Sequence, residues 1–160
     1  MILAVFGEDL GTMTALADHA LALNPSCARG WYHSGYLRLM AGEPNRAIEQ
    51  AEISLRLSPR NRNAPVHTVI GASHFLSGRF NEAIATLLLA LEETPNSPVA
   101  YRYLAACYGR MGRLDEARDV VKRLRAITPA VMPPDIMYLR NARHRELYLS
   151  GLRLAAGEAR

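Results

Sequence analysis

Lysine is almost missing from this chain. Lys122 is the only one, although Lys and Arg together number 19. The positive charge is therefore arginine, spread along the chain and interleaved with acids, for a net +4. A nucleic-acid binder would gather that charge into one patch or stripe. Cysteine is scarce: Cys27 and Cys107 are the only two. No CxxC or Cys/His spacing suits zinc, and two lone thiols point to a reducing, cytoplasmic setting without a disulfide. Long apolar runs are absent too. Nothing reaches the roughly 18 residues that a membrane span needs. The opening MILAVF is short, lacks a basic flank and runs into the acidic GED, so it does not read as a signal peptide. No glycine-rich phosphate loop follows a strand pattern, and no GxSxG elbow occurs. No alternating strand pattern is present to carry paired metal-binding aspartates.

What is present is a repeat. The chain has 160 residues, 49% of them hydrophobic, enough for one domain with a core. "GRLDEA" at 112–117 is echoed by "GRFNEA" at 78–83 and "GEPNRA" at 42–47. Each glycine is followed five positions later by alanine: Gly42/Ala47, Gly78/Ala83, Gly112/Ala117. Each alanine is followed twelve positions later by proline: Pro59, Pro95, Pro129. Seven positions before each glycine stands another small residue, Gly35, Gly71 or Ala105. The prolines step by 34, 36 and 34 from Pro25 onward.

This period and pattern resemble the tetratricopeptide repeat, W-x2-L-G-x2-Y…A-x3-F…P. Trp31 and Gly35 take the Trp and Gly positions; Tyr101, Leu104 and Tyr108 take Trp, Leu and Tyr; Ala83, Leu87, Ala90 and Pro95 fit a second helix. The departures are Ser34 and Arg38 in one repeat, and His67 and His74 in the next, all replacing Leu or aromatic residues. The resemblance implies an all-α fold: a right-handed superhelix of antiparallel helix pairs. Within each pair, small residues sit where the helices cross, and prolines stop the second helix.

One domain over 1–160 is expected, with a partial repeat at 1–27, full repeats at 28–61, 64–97 and 98–131, and a capping segment at 136–157. Residues 9–24 read as a second helix without a complete first one, residues 1–6 being its last turn. That pattern suggests a piece of a longer chain. Two extra residues lengthen the loop "SPRNRNAP" at 58–65. Pro133 and Pro134 break the repeat, and Leu147, Leu149, Leu152 and Leu154 then resume helical spacing as a C-terminal capping helix. The tail "RNARHRELYLSGLRLAAGE" and the stretch beginning "ALALNPSCARGWYHSGY" are similar to the C-terminal regions of bacterial multidomain regulators. Those place such repeats after a class III adenylate/guanylate cyclase domain or a winged-helix domain. The likeness spans about residues 12–158 and implies a signalling context, not an activity in this chain.

Candidate chemistry is thin. Cys107 falls mid-helix among small apolar residues, with no cation to lower its pKa. Cys27 lies near a helix start without a partner base. His67 and His74 are seven apart, whereas helical metal pairs prefer i,i+4, and His19, His33 and His144 stand alone. The acids of GEDL, LEET and LDEA sit at turns and helix starts, where the helix dipole favours them. No catalytic, cofactor or metal residue is assigned, and the chain reads as non-enzymatic.

The resemblance instead implies a binding groove lined by the first helices. The positions that map into it are Arg29, Tyr32, Tyr36, Leu39, Met40, Thr68, Phe75, Arg102 and Arg110, with Ala72, Leu76, Val99 and Ala106 beside them. Aromatic and arginine side chains are the usual interface anchors, and arginine grips carboxylates. The expected ligand is a protein or peptide, acidic or C-terminal, or another domain of the same full-length chain. A homodimer through the open repeat ends is the alternative. No cofactor, membrane or direct nucleic-acid contact is expected.

Overall fold

The computed structural model describes residues 9–60 and 63–158. Among them run eight helices and no strand: α1 Leu10–Leu23, α2 Ala28–Ala41, α3 Pro44–Leu57, α4 Ala64–Leu76, α5 Phe80–Glu93, α6 Pro98–Arg110, α7 Leu114–Ile127 and α8 Ala142–Ala156. The expected last turn of a helix at 1–6 lies outside the described residues, as do positions 61 and 62 of the long loop.

The helices start where local chemistry tells them to. Asp9 accepts from the Gly11 N–H at 2.9 Å and the Thr12 hydroxyl at 2.7 Å, capping α1. Pro44 and Pro98 open α3 and α6, where a missing N–H costs nothing. The first helix of every pair ends on one device. Gly42, Gly78 and Gly112 adopt φ of 87°, 75° and 72°, the left-handed region that a Cβ penalises. The next N–H then turns back: Glu43 to the Arg38 carbonyl, Arg79 to His74, Arg113 to Tyr108, each at 2.9 Å. The partner helix begins at once, so α2/α3, α4/α5 and α6/α7 are tight antiparallel hairpins.

Small residues let each hairpin close. A Cβ on Gly35 would stand 3.0 Å from the Ala47 carbonyl oxygen, and one on Gly71 would stand 2.6 Å from Leu87 Cγ. Ala47, Ala83, Ala105 and Ala117 are wholly buried. The small-residue spacing in the sequence is thus a record of helix crossings. Stacking three hairpins joins Leu39, Val69, Phe75, Leu87, Leu104 and Leu124 into one core. Each such side chain contributes about 1.5–3 kcal/mol on burial. α1 covers the open side of α2, where Leu37 and Met40 meet Leu10, Met13 and Ala17.

The departures from the repeat pattern have local causes. Arg38, in an aromatic slot, is buried and pairs with Asp18 of α1 at 2.6 Å and Glu43 at 3.2 Å. It ties the lone helix to the first hairpin. His67 faces Glu93, Nδ1 to Oε1, at 3.4 Å. The same carboxylate accepts from the backbone N–H groups of Asn63 and Ala64 and so caps α4. His74 Nδ1 accepts from Arg79 Nε at 2.9 Å. Burial, with the Arg79 charge beside it, holds the His74 pKa below its ordinary value, consistent with a neutral acceptor.

The C-terminal segment leaves the repeat path. After α7 the chain runs back across the stack until the Arg140 N–H donates to the Met40 carbonyl at 2.9 Å, at the far end of α2. Asn141 then caps α8 through its Oδ1. α8 lies mainly against α6 and only marginally against α7. It thus caps the last hairpin as expected, but chiefly from the α6 side. Two glycines redirect it: a Cβ on Gly109 would come 2.4 Å from the Gly151 carbonyl oxygen, and one on Gly151 would come 2.9 Å from that of Ala106.

This contact separates two kinds of glycine. Gly109→Ala is expected to lose about 2–3 kcal/mol, because backbone atoms cannot rotate out of the way. Gly112→Ala, whose Cβ would meet nothing within 4 Å, is expected to lose about 1 kcal/mol from its left-handed backbone alone. Urea unfolding followed by circular dichroism measures both, and the reverse order would contradict the α6/α8 contact.

Candidate functional site

The first helices α2, α4 and α6 share one face, and two adjoining recesses open on it. The first, about 250 Å³, is walled by Tyr36, Thr68, Val69 and Val99 on one side and by Pro133, Pro134 and Tyr138 on the other. The second, about 360 Å³, runs on past Tyr36 to Tyr32, Pro65, Thr94 and Ser97. Tyr36, Thr68, Val69 and Val99 belong to both, so the two form one trough. Its lining is mostly apolar side chains with phenols among them.

The floor is an aromatic stack. Tyr103 and Tyr148 lie face to face, 4.3 Å between centroids, and Phe75 meets both edge-on at 5.7 and 6.0 Å. Burial pushes the Tyr103 and Tyr148 hydroxyls well above the ordinary tyrosine pKa, and raises Tyr32, Tyr36 and Tyr138 as well. All five are neutral phenols at physiological pH, able to donate hydrogen bonds but not to act as bases.

One wall of the trough is the chain's own C-terminal segment, held by Arg102. Its Nε donates to the Val131 carbonyl and its Nη2 to that of Ala130, both at 2.9 Å. The Tyr103 and Tyr138 hydroxyls meet at 3.5 Å, and Leu139 is fully buried beyond them. Arg145 Nη1 closes the far end on the Leu139 and Arg140 carbonyls.

The sequence-predicted groove residues therefore separate. Tyr32, Tyr36, Leu39 and Thr68 line the trough. Arg102 borders it, but at 7% exposure it already grips backbone carbonyls and is no free anchor for a carboxylate. Met40 is sealed under α1 and Phe75 within the aromatic stack. Arg29 and Arg110 are exposed and line neither recess. Of the flanking positions, Ala72 and Val99 take part, whereas Leu76 and Ala106 are core. Pro133, Pro134, Tyr138 and Tyr148 were missed. The available signal was compositional: "VMPPDIMYL" is too apolar for a solvated link.

Elsewhere the chemistry is quiet. Cys107 is wholly buried, and burial pushes its thiol up to about 12, so it stays protonated. The exposed Cys27 caps α2, its Sγ accepting from the Gly30 N–H at 3.4 Å. Among the described residues no group of His, Cys, Asp or Glu could hold a metal ion, and no helix is long and apolar enough to cross a membrane.

Residues 74–133 match the tetratricopeptide-repeat family. No curated protein matches the chain. Among solved structures, a crystal structure of MamA is 19% identical over 94% of this chain and 88% of that one, with TM-score 0.68. The MSR-1 form of MamA is 24% identical over 78% and 71%, with TM-score 0.66. YrrB, described as a TPR protein with an unusual peptide-binding site, is 22% identical over 98% and 81%, with TM-score 0.64. At these identities the likeness is one of fold. The chain folds as an all-helical solenoid of antiparallel pairs like theirs, and the match to the tetratricopeptide-repeat family lies in residues 74–133.

Arg102 supplies a test of the site's construction. Arg102→Met keeps much of the buried stem but strands two carbonyls, costing about 2 kcal/mol. Hydrogen exchange is expected to rise selectively over residues 129–141 while α2–α7 keep their protection. Unchanged exchange in that segment would mean the guanidinium is not its clamp.

Proposed function

We propose that this chain is a non-catalytic module that binds an extended stretch of protein or peptide in the trough between α2, α4, α6 and the C-terminal segment. The observation that carries this reading is the trough itself: a continuous apolar cleft bearing neutral phenols, on a face where an extended segment of the same chain is already seated. Peptide binding by a neighbour of the same fold is in keeping with it. The division into one partial repeat, three full repeats and a terminal segment belongs to the same proposal.

The finer context is that of a C-terminal regulatory or assembly part of a bacterial nucleotide cyclase, acting in signal transduction in the cytoplasm. Its support is the sequence likeness over residues 12–158. An accessory part of a winged-helix regulator draws on the same likeness. The coding sequence upstream decides between them, by a two-aspartate cyclase domain or a winged helix.

A random twelve-residue peptide library displayed on phage tests the binding reading. Val99 is 45% exposed and borders both recesses. Val99→Arg therefore fills the trough with a charge at little folding cost. Peptides selected on the native chain are expected to bind this variant at least tenfold more weakly, with the helical circular dichroism unchanged. Equal binding to both would place the interaction elsewhere and overturn the proposal.

A second reading rests on α1. Among the described residues its Leu16 and Leu23 are 63% and 75% exposed, which suits homodimerisation through this end of the stack. Light scattering is then expected to give twice the 17.7 kDa chain mass, reverting to one on Leu16→Glu with Leu23→Glu. A monomer at high concentration would remove this reading.

A further inference from the structure

The trough is mostly apolar, and its few free polar groups are chiefly hydroxyls. The Tyr32 and Tyr36 hydroxyls line it without a hydrogen bond to the described protein. Arg102 uses Nε and Nη2 on the chain's own carbonyls, so the guanidinium too faces this wall only as a donor. The other polar side chains are few and partly used: Thr68 Oγ1 donates to the Ala64 carbonyl and keeps only its lone pairs, Ser97 Oγ accepts from the Ala100 N–H, and Asp135 Oδ1 accepts from the Met137 N–H. Along the apolar wall of Pro65, Val69 and Val99 an ordinary peptide would bury N–H groups without a partner, at about 1–3 kcal/mol for each one. Proline has no N–H to strand.

The chain's own segment obeys this rule. The residues it presents to the first recess are Pro133, Pro134 and Asp135, backed by Tyr138, while its carbonyls at 130 and 131 take the arginine donors. The second recess continues the same trough with the same elements: phenols at Tyr32 and Tyr36, an apolar wall at Pro65 and Val99. We infer that this recess takes an extended, proline-bearing segment of a partner protein, in polyproline II form. Its rings fill the space between Tyr32, Tyr36 and Val99, and its carbonyls accept from the two free phenols. Polyproline II suits such a slot because it is extended, stiff and loses little entropy on binding. The inference deepens the peptide-binding reading above and rests on it.

Fluorescein-labelled decaproline, with a Gly-Ser decamer as control, tests it by fluorescence polarisation and by NMR shift mapping on the full chain. Decaproline is expected to bind at least tenfold tighter than the control and to shift Tyr32, Tyr36, Thr68 and Val99. Tyr32→Phe with Tyr36→Phe keeps the rings and removes only the donors. Each lost hydrogen bond is expected to weaken binding about fivefold, while library-selected peptides without proline are affected less. Equal affinity for decaproline and the control, or no response to the double Phe variant, overturns the inference. If library peptides remain sensitive to Val99→Arg in that case, the trough still binds peptide and only the proline selectivity falls. If neither probe depends on the trough, both readings fall.

Discussion

Two helices of a hairpin can cross closely only where each presents no more than a small side chain, and the other features of this fold depend on that constraint. Gly35 against Ala47 and Ala51, Gly71 against Leu87 and Ala83, and the buried Ala105 and Ala117 set the crossing of each pair. The left-handed glycines Gly42, Gly78 and Gly112 set how soon the chain turns back. With crossing and turn the same in each hairpin, the hairpins stack in register. Their first helices then share one face, and a cleft results without any residue being devoted to it.

The C-terminal segment applies the same constraint once more, outside the repeat. Gly109 and Gly151 remove the side chains that would hold α8 away from α6, so α8 docks chiefly there and only at its margin on α7. Tyr148 is thereby brought onto Tyr103, and the link before it is drawn across the trough to the end of α2. Arg102, which sequence reasoning placed as an anchor for an acidic ligand, is spent on this link. A buried guanidinium needs several acceptors, and the two carbonyls of the chain's own extended segment supply them. The trough is consequently more apolar, and richer in phenols, than the arginine positions suggested.

Polar residues in aromatic slots follow a related logic. Arg38, His67 and His74 each meet a charge or donor brought by a neighbouring element: Asp18 and Glu43, Glu93, and Arg79. Four of the acids at turns and helix starts are caps or ion-pair partners, Asp9 among them as the cap of α1. Glu93 closes the start of α4, and Glu116 and Asp115 pair along the first turn of α7.

The hairpins were legible in the sequence because their determinants are local and repeated. Glycine, alanine and proline recur at spacings set by helix geometry, and three copies of one spacing expose it. Tyr32, Tyr36, Leu39 and Thr68 could be assigned to the groove for the same reason, since position within a repeat decides which face a residue takes. Met40 and Phe75 share that periodicity, yet α1 covers one and the aromatic stack encloses the other. Gly151, Pro133, Pro134 and Tyr138 belong to no repeated spacing, and Arg102 and Gly109, though in register with Tyr32 and Thr68 and with Leu39 and Phe75, meet this tail and not a repeat. Their roles depend on contacts between segments some thirty or more residues apart. The sequence alone thus determined the helices, their turns and the shared face, because those rest on near neighbours. Only the tertiary structure decided what occupies that face, because occupancy depends on where a non-repeating tail finds two backbones able to touch.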